Sequence, residues 1–367
     1  MSGAIEKGKK RWRAGVLGAT GMVGQRIVQM LAQHPWFELT EVAASERSAG
    51  KRYADAVRWH LNEPIPEEAR KLVVKDVAPP LDCDFVFSGL DSSVAGPVEA
   101  AFAKAGYPVV SNSKNHRMEP DVPLLIPEVN AGHLASIATQ KKNHGYESGF
   151  IVTNPNCSTA GLALALKPLA DAFGIEQVHV VTMQAVSGAG YPGVPSMDIL
   201  GNVIPYISGE EEKMETEPRK LLGHWDGKRF VDLDVRLSAH CNRVQVLDGH
   251  MESVSVKLKK KASVKEVREA LRTFEVDDEL AGLPTALRRP IVVAEEADRP
   301  QPRRDSDAGA GMAAVVGRVR ACPLLDFKFT VLSHNLVRGA AGAALLNAEL
   351  LAARGLLDGK AGKDLAT

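Results

Sequence analysis

The sequence predicts an α/β protein of two lobes, a doubly wound parallel-sheet lobe followed by an α+β lobe with a mixed sheet. In the first half of the chain, short apolar strands alternate with helical patterns, which implies parallel strands joined by right-handed crossovers. A glycine-rich turn, Gly18 to Gly24, joins the first strand to the first helix. After about Asn156 the strands lengthen and long irregular stretches separate them, which is typical of a mixed or antiparallel sheet.

The elements of the first lobe are predicted from the spacing of apolar residues. A strand is expected over residues 14–17. Apolar residues at Val23, Ile27, Met30 and Leu31 recur at helical spacing and predict a helix over residues 22–33. Further strands are expected over residues 39–44, over 85–87 and from 109, with a helix over 94–105.

The second lobe is predicted to begin with a helix over residues 159–173 and a strand over 177–183. Residues 187–205 are rich in Gly and Pro and predict an irregular stretch. Strands are expected over 244–247, 252–258 and 291–294, a surface loop over 299–311, and an Ala-rich helix from about Leu336. Because that last helix is expected to return to the first lobe, we predict a discontinuous domain of residues 1–156 and 335–367, with a second domain of residues 157–334.

Composition excludes several classes of protein. The 367 residues contain 45 Lys and Arg against 45 Asp and Glu, so the formal net charge is zero. This balance argues against a partner that is a nucleic acid or an anionic membrane surface. No run approaches the ~20 apolar residues that cross a bilayer, and four cysteines are too few for a disulfide scaffold. We therefore expect a cytoplasmic enzyme with small-molecule substrates and no metal site.

The motif Gly18-Ala-Thr-Gly21-Met-Val-Gly24 has the context of a dinucleotide-binding fingerprint. One glycine permits the tight turn, the next lets the backbone approach a pyrophosphate, and the last lets the helix pack on the strand. The N-terminus of the helix then offers free N–H groups to the phosphates. These features predict a Rossmann-type domain, with a ligand-free glycine turn as the alternative.

The end of the second strand favours NADP over NAD. An NAD enzyme usually places an acidic residue there, on the ribose hydroxyl. This chain instead has Ser45 and Ser48, which offer hydroxyls, and Arg47, whose planar fork suits a phosphate. Glu46 could instead point at the ribose, and a solvated turn of mixed charge is the simpler interpretation.

Cys157 is the candidate nucleophile among the four cysteines. It lies in Asn154-Pro-Asn-Cys157-Ser-Thr159, just after a predicted strand and just before a helix. A helix N-terminus stabilises a thiolate and lowers its pKa, and the same N–H groups can form an oxyanion hole. The alternative is a buried packing cysteine. That interpretation is preferred for Cys83 and Cys322, while Cys241 shows no clear activating position.

A reactive thiol beside a nicotinamide site suggests aldehyde chemistry through a covalent thioester. This chemistry needs an acid/base group, normally a histidine. His250 follows a predicted strand that ends in Asp248-Gly249, which places it at an exposed strand end, and Arg243 precedes it by seven residues. An ordinary hairpin turn at Asp248-Gly249 is the alternative.

Eight motifs, which span nearly the whole chain, resemble those of the aspartate-β-semialdehyde dehydrogenase family and appear in the family's order. They are GATGMVG from Gly18, SERSAGK from Ser45, SNSKNHRM from Ser111, NPNCST from Asn154, MQAVSGAG from Met183, EEEKME from Glu210, RVQVLDGH from Arg243 and SHNLVRGAAG from Ser333. The segment NHRMEPDVPLLIPEVN and the EEEKME run are similar to the archaeal and fungal branch.

The resemblance implies a role for each residue at a matching position. Cys157 would form the acyl intermediate, His250 would be the acid/base, and Gln184 would orient the substrate. Arg243 would bind the substrate α-carboxylate. Either Glu210 or Glu211 would bind the α-ammonium, and we choose Glu210 because it shares a helix face with Lys213; a solvated helix start is the alternative. The residues implied at the phosphate are Lys213 and Arg117, with Asn112 and Lys114 as weaker candidates.

The implied reaction is NADPH-dependent reductive dephosphorylation of L-4-aspartyl phosphate to L-aspartate 4-semialdehyde, in the pathway to lysine, threonine and methionine. A homodimer or homotetramer is implied, with the second lobe as catalytic and dimerisation domain. The candidate cofactor contacts, from the two cofactor motifs and the resemblance, are Gly18, Thr20, Gly21, Met22, Val23, Gly24, Ser45, Arg47, Ser48, Ser88, Gly89, Gly188 and Asn335.

Other functions remain open at this point. Malonyl-CoA reductase shares the archaeal-type scaffold and would need a coenzyme A site. N-acetylglutamyl-phosphate reductase and glyceraldehyde-phosphate dehydrogenase also use Cys and His, but with different Cys neighbourhoods, and an N-acylated substrate would not need Glu210. A catalytically inactive binding protein would not need the set Cys157, Arg243 and His250.

Overall fold

Five parallel strands form the sheet of the first lobe in a computed structural model, which describes residues 11–358. In chain order they are β1 (Trp12–Leu17), β2 (Phe37–Ala43), β3 (Phe85–Ser88), β4 (Pro108–Ser111) and β5 (Phe150–Thr153). Their order across the sheet is β2-β1-β3-β4-β5, and every neighbouring pair is parallel. The predicted doubly wound lobe is therefore confirmed; the predicted domain ends 1–10 and 359–367 lie outside the described residues.

Helices connect these strands. They are α1 (Met22–Leu31), α2 (Tyr53–Ala56), α3 (Glu67–Arg70), α4 (Ser92–Lys104), α5 (Pro127–Asn130) and α6 (Ile137–His144), with a 3₁₀ segment at Ala131–Ser136. Helix α1 buries Ile27, Val28 and Leu31 on one face, as the helical spacing predicts. The β1–α1 and β3–α4 connections leave the carboxyl ends of adjacent strands at one edge, where parallel sheets place their ligand sites.

The second lobe is built on a six-stranded mixed sheet. Its strands are β6 (Ile175–Gln184), β9 (Arg236–Arg243), β10 (His250–Leu258), β11 (Ile291–Val293), β12 (Ala314–Ala321) and β13 (Phe327–Ser333). Between β6 and β9 in the chain, β7 (His224–Trp225) and β8 (Phe230–Val231) form a separate two-stranded sheet. The order is β11-β12-β13-β10-β6-β9. The β6–β9 and β11–β12 pairs are parallel and the other three are antiparallel, which confirms the mixed sheet.

One face of this sheet is covered by helices. The second-lobe helices are α7 (Cys157–Phe173), α8 (Ser196–Ile199), α9 (Glu210–Leu221), α10 (Val264–Thr273), α11 (Asp278–Ala281) and α12 (Pro302–Asp305), with a 3₁₀ segment at Val186–Ala189. Helix α7 buries Leu162, Leu166 and Leu169 in one apolar core with Val180 and Val254 of the sheet. This burial holds the N-terminus of α7 over the sheet.

The end of the chain packs against the first lobe. A π-helical turn, Val337–Ala341, leads into α13 (Gly342–Ala353). Leu345 and Leu351 of α13 share the first-lobe core with Phe37 and Phe85. Val276 of the second predicted domain also packs in that core. The boundaries of the two predicted domains therefore stay a prediction.

Two second-lobe elements were predicted wrongly. Residues 244–247 are not a strand, because the chain leaves the sheet after Arg243. The strand in this part of the chain is β9, which ends at Arg243. It lies at the edge of the sheet, and its hydropathy pattern is too weak to predict a strand. The predicted surface loop 299–311 contains α12, and Asp305 is buried there by its ion pair with Arg299.

No helix within residues 11–358 combines the length and the apolar character needed to span a bilayer.

Candidate active site

Four buried side chains form a row across the second sheet, where its central strands end. Arg243 of β9 pairs with Gln184 of β6, and His250 of β10 pairs with Ser333 of β13. The pairing of β10 with β6 is antiparallel and places His250 beside Gln184. Side chains at paired positions point to the same face of a sheet. Residues far apart in sequence therefore converge on one face.

Cys157 is the first residue of α7, and this helix starts over the row. A Cβ at Gly161, one turn further along α7, would lie 2.4 Å from Ser333 Oγ. The predicted helix N-terminus is thus confirmed. The side-chain oxygen of Asn156 caps the helix by accepting the N–H groups of Ser158 and Thr159 at 3.0 and 3.4 Å. The cap takes these two N–H groups, and an oxyanion hole formed by the other N–H groups of this helix start, such as that of Cys157, stays a prediction.

The predicted lowering of the Cys157 pKa is also wrong. Cys157 is half-buried, and burial raises the pKa of its thiol to about 12, with Glu210 acting in the same direction. Arg117, Arg243 and Lys213 lower this pKa but do not outweigh burial. Desolvation and the negative charge of Glu210 disfavour the thiolate more than the three cations favour it. The three cations nevertheless show that Arg117, Arg243 and Lys213 surround the thiol.

His250 is buried at the start of β10, so the prediction of an exposed strand end is wrong. Its Nδ1 accepts a hydrogen bond from the Ala185 N–H at 3.1 Å. Its Nε2 is buried without a hydrogen-bond partner among the described residues. Burial lowers the pKa of His250 to about 3, with the positive charges of Arg243 and His334 acting in the same direction. The neutral ring therefore bears its proton on Nε2.

Arg243 lies buried at the end of β9, beside His250. Its Nη1 donates to the Ala185 carbonyl at 2.8 Å. A Cβ at Gly188 would lie 2.9 Å from both Arg243 Nη1 and His250 Nε2. Gly188, predicted as a cofactor contact, thus packs against this pair, and only a residue without a side chain fits the space.

Glu210, the first residue of α9, is a buried carboxylate with three side-chain donors around it. Its carboxylate accepts from Asn156 Nδ2 at 2.9 and 3.1 Å, from Gln184 Nε2 at 3.3 Å and from Lys213 Nζ at 2.6 Å. Glu211 instead accepts the Cys241 N–H, on β9. The structure therefore places Glu210, rather than Glu211, with Cys157 and Gln184.

Arg117 is held by residues on both sides of the site. Its Nη1 donates to Glu217 Oε1 at 2.9 Å and its Nη2 to the Asn112 carbonyl at 2.7 Å. Asn112 Oδ1 accepts from Asn154. Asn112 therefore contacts Arg117 through its backbone, while Lys114 is exposed and acts electrostatically on Asp91. The structure brings Arg117 to the site but leaves Lys114 at the surface.

Two buried residues of α9 were missed by the sequence analysis. Glu217 contacts Arg117 and the Asn156 N–H. Lys220 Nζ donates to the carbonyls of Arg117, Glu119 and Val122 at 2.7 to 2.9 Å, and burial lowers its pKa to about 8. Both lie seven residues after a predicted site residue, so they fall on the same helix face. This spacing is the signal that would have found them.

The glycine turn after β1 has the geometry of a dinucleotide site. Gly18 has φ +74°, and a Cβ there would lie 2.8 Å from the Gly89 carbonyl. A Cβ at Gly24 would lie 2.2 Å from the Gly18 carbonyl, which explains the third glycine as close helix–strand packing. Gly21 is exposed and begins α1 as its N-cap. The backbone of this turn is therefore open to a pyrophosphate, as the fingerprint requires.

The other candidate cofactor residues line the same edge of the first sheet and the cleft above it. Ser45 and Arg47 are exposed in a turn directly after β2, together with the half-exposed Ser48. Ser88 ends β3 and is buried. Met22 lines a cavity of about 300 Å³ with Ser187 and Tyr191 of the second lobe. Asn335 Nδ2 donates to Ser187 Oγ at 2.8 Å. Thr20 lies in the glycine turn and Val23 follows Met22 in the first turn of α1.

Of the remaining cysteines, Cys241 lies within electrostatic range of Glu210 and Arg243. Cys83 and Cys241 are buried, as packing cysteines are. Cys322 follows β12 and is half-exposed, so its prediction as a buried residue is wrong.

Glu119, Asp121 and His144 form a cluster whose ligand atoms lie within 4.8 Å of one another. Within residues 11–358 these groups already have protein partners, because Glu119 bonds His116 and Asp121 bonds Asn143.

Glu252 is a buried acid beneath the row, two residues after His250. It is 1% exposed, and neither carboxyl oxygen has a hydrogen-bond partner among the described residues. Burial raises its pKa well above the ordinary value of 4.5. The folded protein therefore keeps a proton that the unfolded chain releases above pH 4.5. Stability from this group is fully present at low pH and is lost as the pH rises towards the folded pKa.

We expect Glu252→Gln to remove this pH dependence. The free energy of unfolding of the wild type should fall relative to the variant by about 1.4 kcal/mol per pH unit from about pH 5 upward. Urea unfolding at several pH values measures the difference, with the exposed neighbour change Ser253→Ala as control. Parallel pH curves for the wild type and Glu252→Gln would show that Glu252 ionises normally.

Each of the two lobes matches a protein family model of its own. Residues 13–137 match the family described as "Semialdehyde dehydrogenase, NAD binding domain", and residues 166–338 match "Semialdehyde dehydrogenase, dimerisation domain". The aspartate-semialdehyde dehydrogenase of Archaeoglobus fulgidus is 53% identical, over 93% of this chain and 98% of that protein. The Candida albicans enzyme of the same name is 47% identical, over 94% and 99%.

Solved structures show the same similarity. The crystal structure of the aspartate-semialdehyde dehydrogenase of Candida albicans with NADP has a TM-score of 0.87 and 46% identity, covering 95% of this chain and 100% of that one. Aspartate-semialdehyde dehydrogenase II of Vibrio cholerae, complexed with ASA, has a TM-score of 0.75 and 26% identity, covering 94% and 99%.

Proposed function

The chain belongs to the aspartate-semialdehyde dehydrogenase family, and we propose that it reduces L-4-aspartyl phosphate to L-aspartate 4-semialdehyde with NADPH and releases phosphate. The observation that supports this best is the convergence of Cys157 with Arg243 and Glu210. The site thus sets a thiol among one buried cation and one buried carboxylate, the two charges that hold a zwitterion.

Each charged group has a partner on the proposed substrate. The Arg243 fork faces the α-carboxylate with the donors that the Ala185 carbonyl does not take. Glu210 accepts the α-ammonium in addition to its protein donors. Arg117 and Lys213 bind the phosphate, and Arg117 Nε is buried with no hydrogen-bond partner among the described residues. An unpaired buried donor of this kind is costly without an anion.

The covalent step uses Cys157. Its sulfur attacks the acyl carbon, the bond from that carbon to the phosphate oxygen breaks, and the thiol proton passes to the departing phosphate as the thioester forms. His250 Nε2 donates a hydrogen bond to the substrate oxygen as negative charge develops there, in both directions of the reaction. The Ala185 N–H on Nδ1 keeps the ring in this donor form. Of the acid and base roles that the sequence suggested for His250, we therefore assign it the role of hydrogen-bond donor.

NADP(H) fits the first lobe. The turn at Gly18 to Gly24 leaves no room for a Cβ at its first and third glycines, and Arg47 with Ser45 and Ser48 is placed for the 2′-phosphate after β2. When bound, this cofactor supplies or accepts the hydride. Met22 and Ser187 line the cleft cavity and would hold the nicotinamide end of the cofactor.

Malonyl-CoA reductase, the alternative on this scaffold, is not favoured, because the similar proteins described above are aspartate-semialdehyde dehydrogenases. Glu210 also argues for an amino-acid substrate, since malonyl-CoA has no ammonium for it to bind.

We also propose a homodimer. Residues 166–338 match a dimerisation domain, and a short segment of this lobe exposes Met197, Val203 and Tyr206. Large exposed apolar side chains grouped in this way mark interfaces.

The proposed function predicts NADP reduction that depends on both aspartate semialdehyde and phosphate. Absorbance at the NADPH band measures it, and omission of phosphate is the control. A parallel reaction with malonyl-CoA and NADPH tests the alternative. Turnover with malonyl-CoA but none with aspartate semialdehyde would contradict the proposal.

A further inference from the structure

We propose that Glu217 is a positioning residue that aligns the phosphate-binding Arg117 and the start of the nucleophile helix through one carboxylate. The proposal rests on the function given above, and it concerns a residue that contacts neither substrate nor cofactor. Glu217 lies in the middle of α9 and is 2% exposed.

The two oxygens of Glu217 serve two different segments. Oε1 accepts from Arg117 Nη1 at 2.9 Å, and Oε2 accepts from the Asn156 N–H at 2.6 Å. Arg117 is 100 residues away in sequence and Asn156 is 61. Buried hydrogen bonds to a charged group are the strong ones, so this carboxylate fixes the distance between the two segments.

On the Arg117 side, the contact sets the orientation of the guanidinium. Glu217 takes Nη1 and the Asn112 carbonyl takes Nη2, which holds the guanidinium at two points and leaves the buried Nε without a partner among the described residues. The loop behind it is tied to the same helix, because Lys220 binds the Arg117 carbonyl. Arg117 is therefore presented to an anion in a single orientation.

On the Asn156 side, the contact fixes the residue before the nucleophile. Asn156 caps α7 through Oδ1 and donates through Nδ2 to Glu210. A shift of Asn156 would move Cys157, and at the same time it would break the hydrogen bond from Asn156 to the carboxylate of Glu210, which binds the ammonium. Glu217 thus connects the leaving phosphate, the nucleophile and the ammonium site.

Only a carboxylate satisfies both contacts. Arg117 Nη1 and the Asn156 N–H are both donors. A glutamine has one oxygen, so its amide N–H₂ would face one of these donors. An aspartate keeps both oxygens but is one methylene shorter. We expect it to retain one contact in full and to weaken the other.

The test compares Glu217→Gln with Glu212→Gln, an exposed glutamate on the same helix. We expect Glu217→Gln to raise the phosphate KM about tenfold or more and to lower kcat, because one charge-assisted contact is lost. Glu217→Asp should lie between this variant and the wild type. NADP binding, which depends on the first lobe, reports the folded fraction.

A double variant separates the two contacts. In an Arg117→Ala background, Glu217→Gln should leave the phosphate KM unchanged and still lower kcat through Asn156. A purely structural role would lower the folded fraction and leave the phosphate KM of the remaining enzyme at the wild-type value, and that result would overturn the proposal.

Phosphate affinity is also measured without turnover, by calorimetric titration of inorganic phosphate into the NADP-bound enzyme. An inactive wild type would refute the proposed function, and this titration would still decide the role of Glu217. Equal affinities for the wild type and Glu217→Gln would refute it.

Discussion

Replacement of Cys157 by Ser is expected to reduce phosphate-dependent turnover by about ten thousand-fold or more, the loss typical when an enzyme loses its nucleophile. A serine hydroxyl fits the first position of α7, but it does not form the thioester. Binding of NADP should remain at the wild-type level, because the glycine turn at Gly18 to Gly24 lies on the first sheet. Activity is measured by NADP reduction, and cofactor affinity by fluorescence titration.

The matched control is Cys322→Ser, at a half-exposed cysteine after β12. We expect it to keep wild-type turnover. Mass spectrometry of the wild type quenched with aspartyl phosphate, in the absence of NADPH, should show the acyl adduct on the peptide that contains Cys157. Turnover of Cys157→Ser at more than a hundredth of the wild-type rate would contradict the covalent route.

Arg243→Lys is expected to raise the KM for aspartate semialdehyde between about tenfold and a hundredfold, the equivalent of one charge-assisted hydrogen bond. Arg243 donates to the Ala185 carbonyl and still has donors for a carboxylate. A lysine ammonium is a single point and does not serve both in the space that Gly188 leaves. The phosphate KM should stay near the wild-type value, because Arg117 is unchanged.

Arg236→Lys is the control for this variant, since Arg236 is exposed at the opposite end of β9. It should leave both KM values unchanged. An unaltered semialdehyde KM in Arg243→Lys would show that another residue binds the carboxylate.

Local patterns predicted the first lobe well. The apolar spacing of α1 and the glycines before it are properties of neighbouring residues, and both were found where the sequence placed them. The edge strand β9 was missed because half of its residues face solvent and its hydropathy is low. A strand of this kind is defined by its pairing with β6, which lies more than 50 residues earlier in the chain.

The candidate site shows the same division. Cys157, Arg243 and His250 were identified by their local motifs and by resemblance. Their convergence depends on the register of three strands, which no local pattern encodes. The Cys157 pKa was predicted in the wrong direction because burial, which here outweighs three nearby cations, is a property of the whole fold.

The spacing of the charged residues on α9 restricts how the gene can change. Glu210, Lys213, Glu217 and Lys220 reach their partners because they are spaced at three, four and three residues. A codon inserted between Lys213 and Glu217 would rotate every later side chain by about 100°. Both Glu217 and Lys220 would then lose their partners in one event. Within this helix, point substitutions are the only gradual route of divergence, and alignments of related enzymes should show no gaps across it.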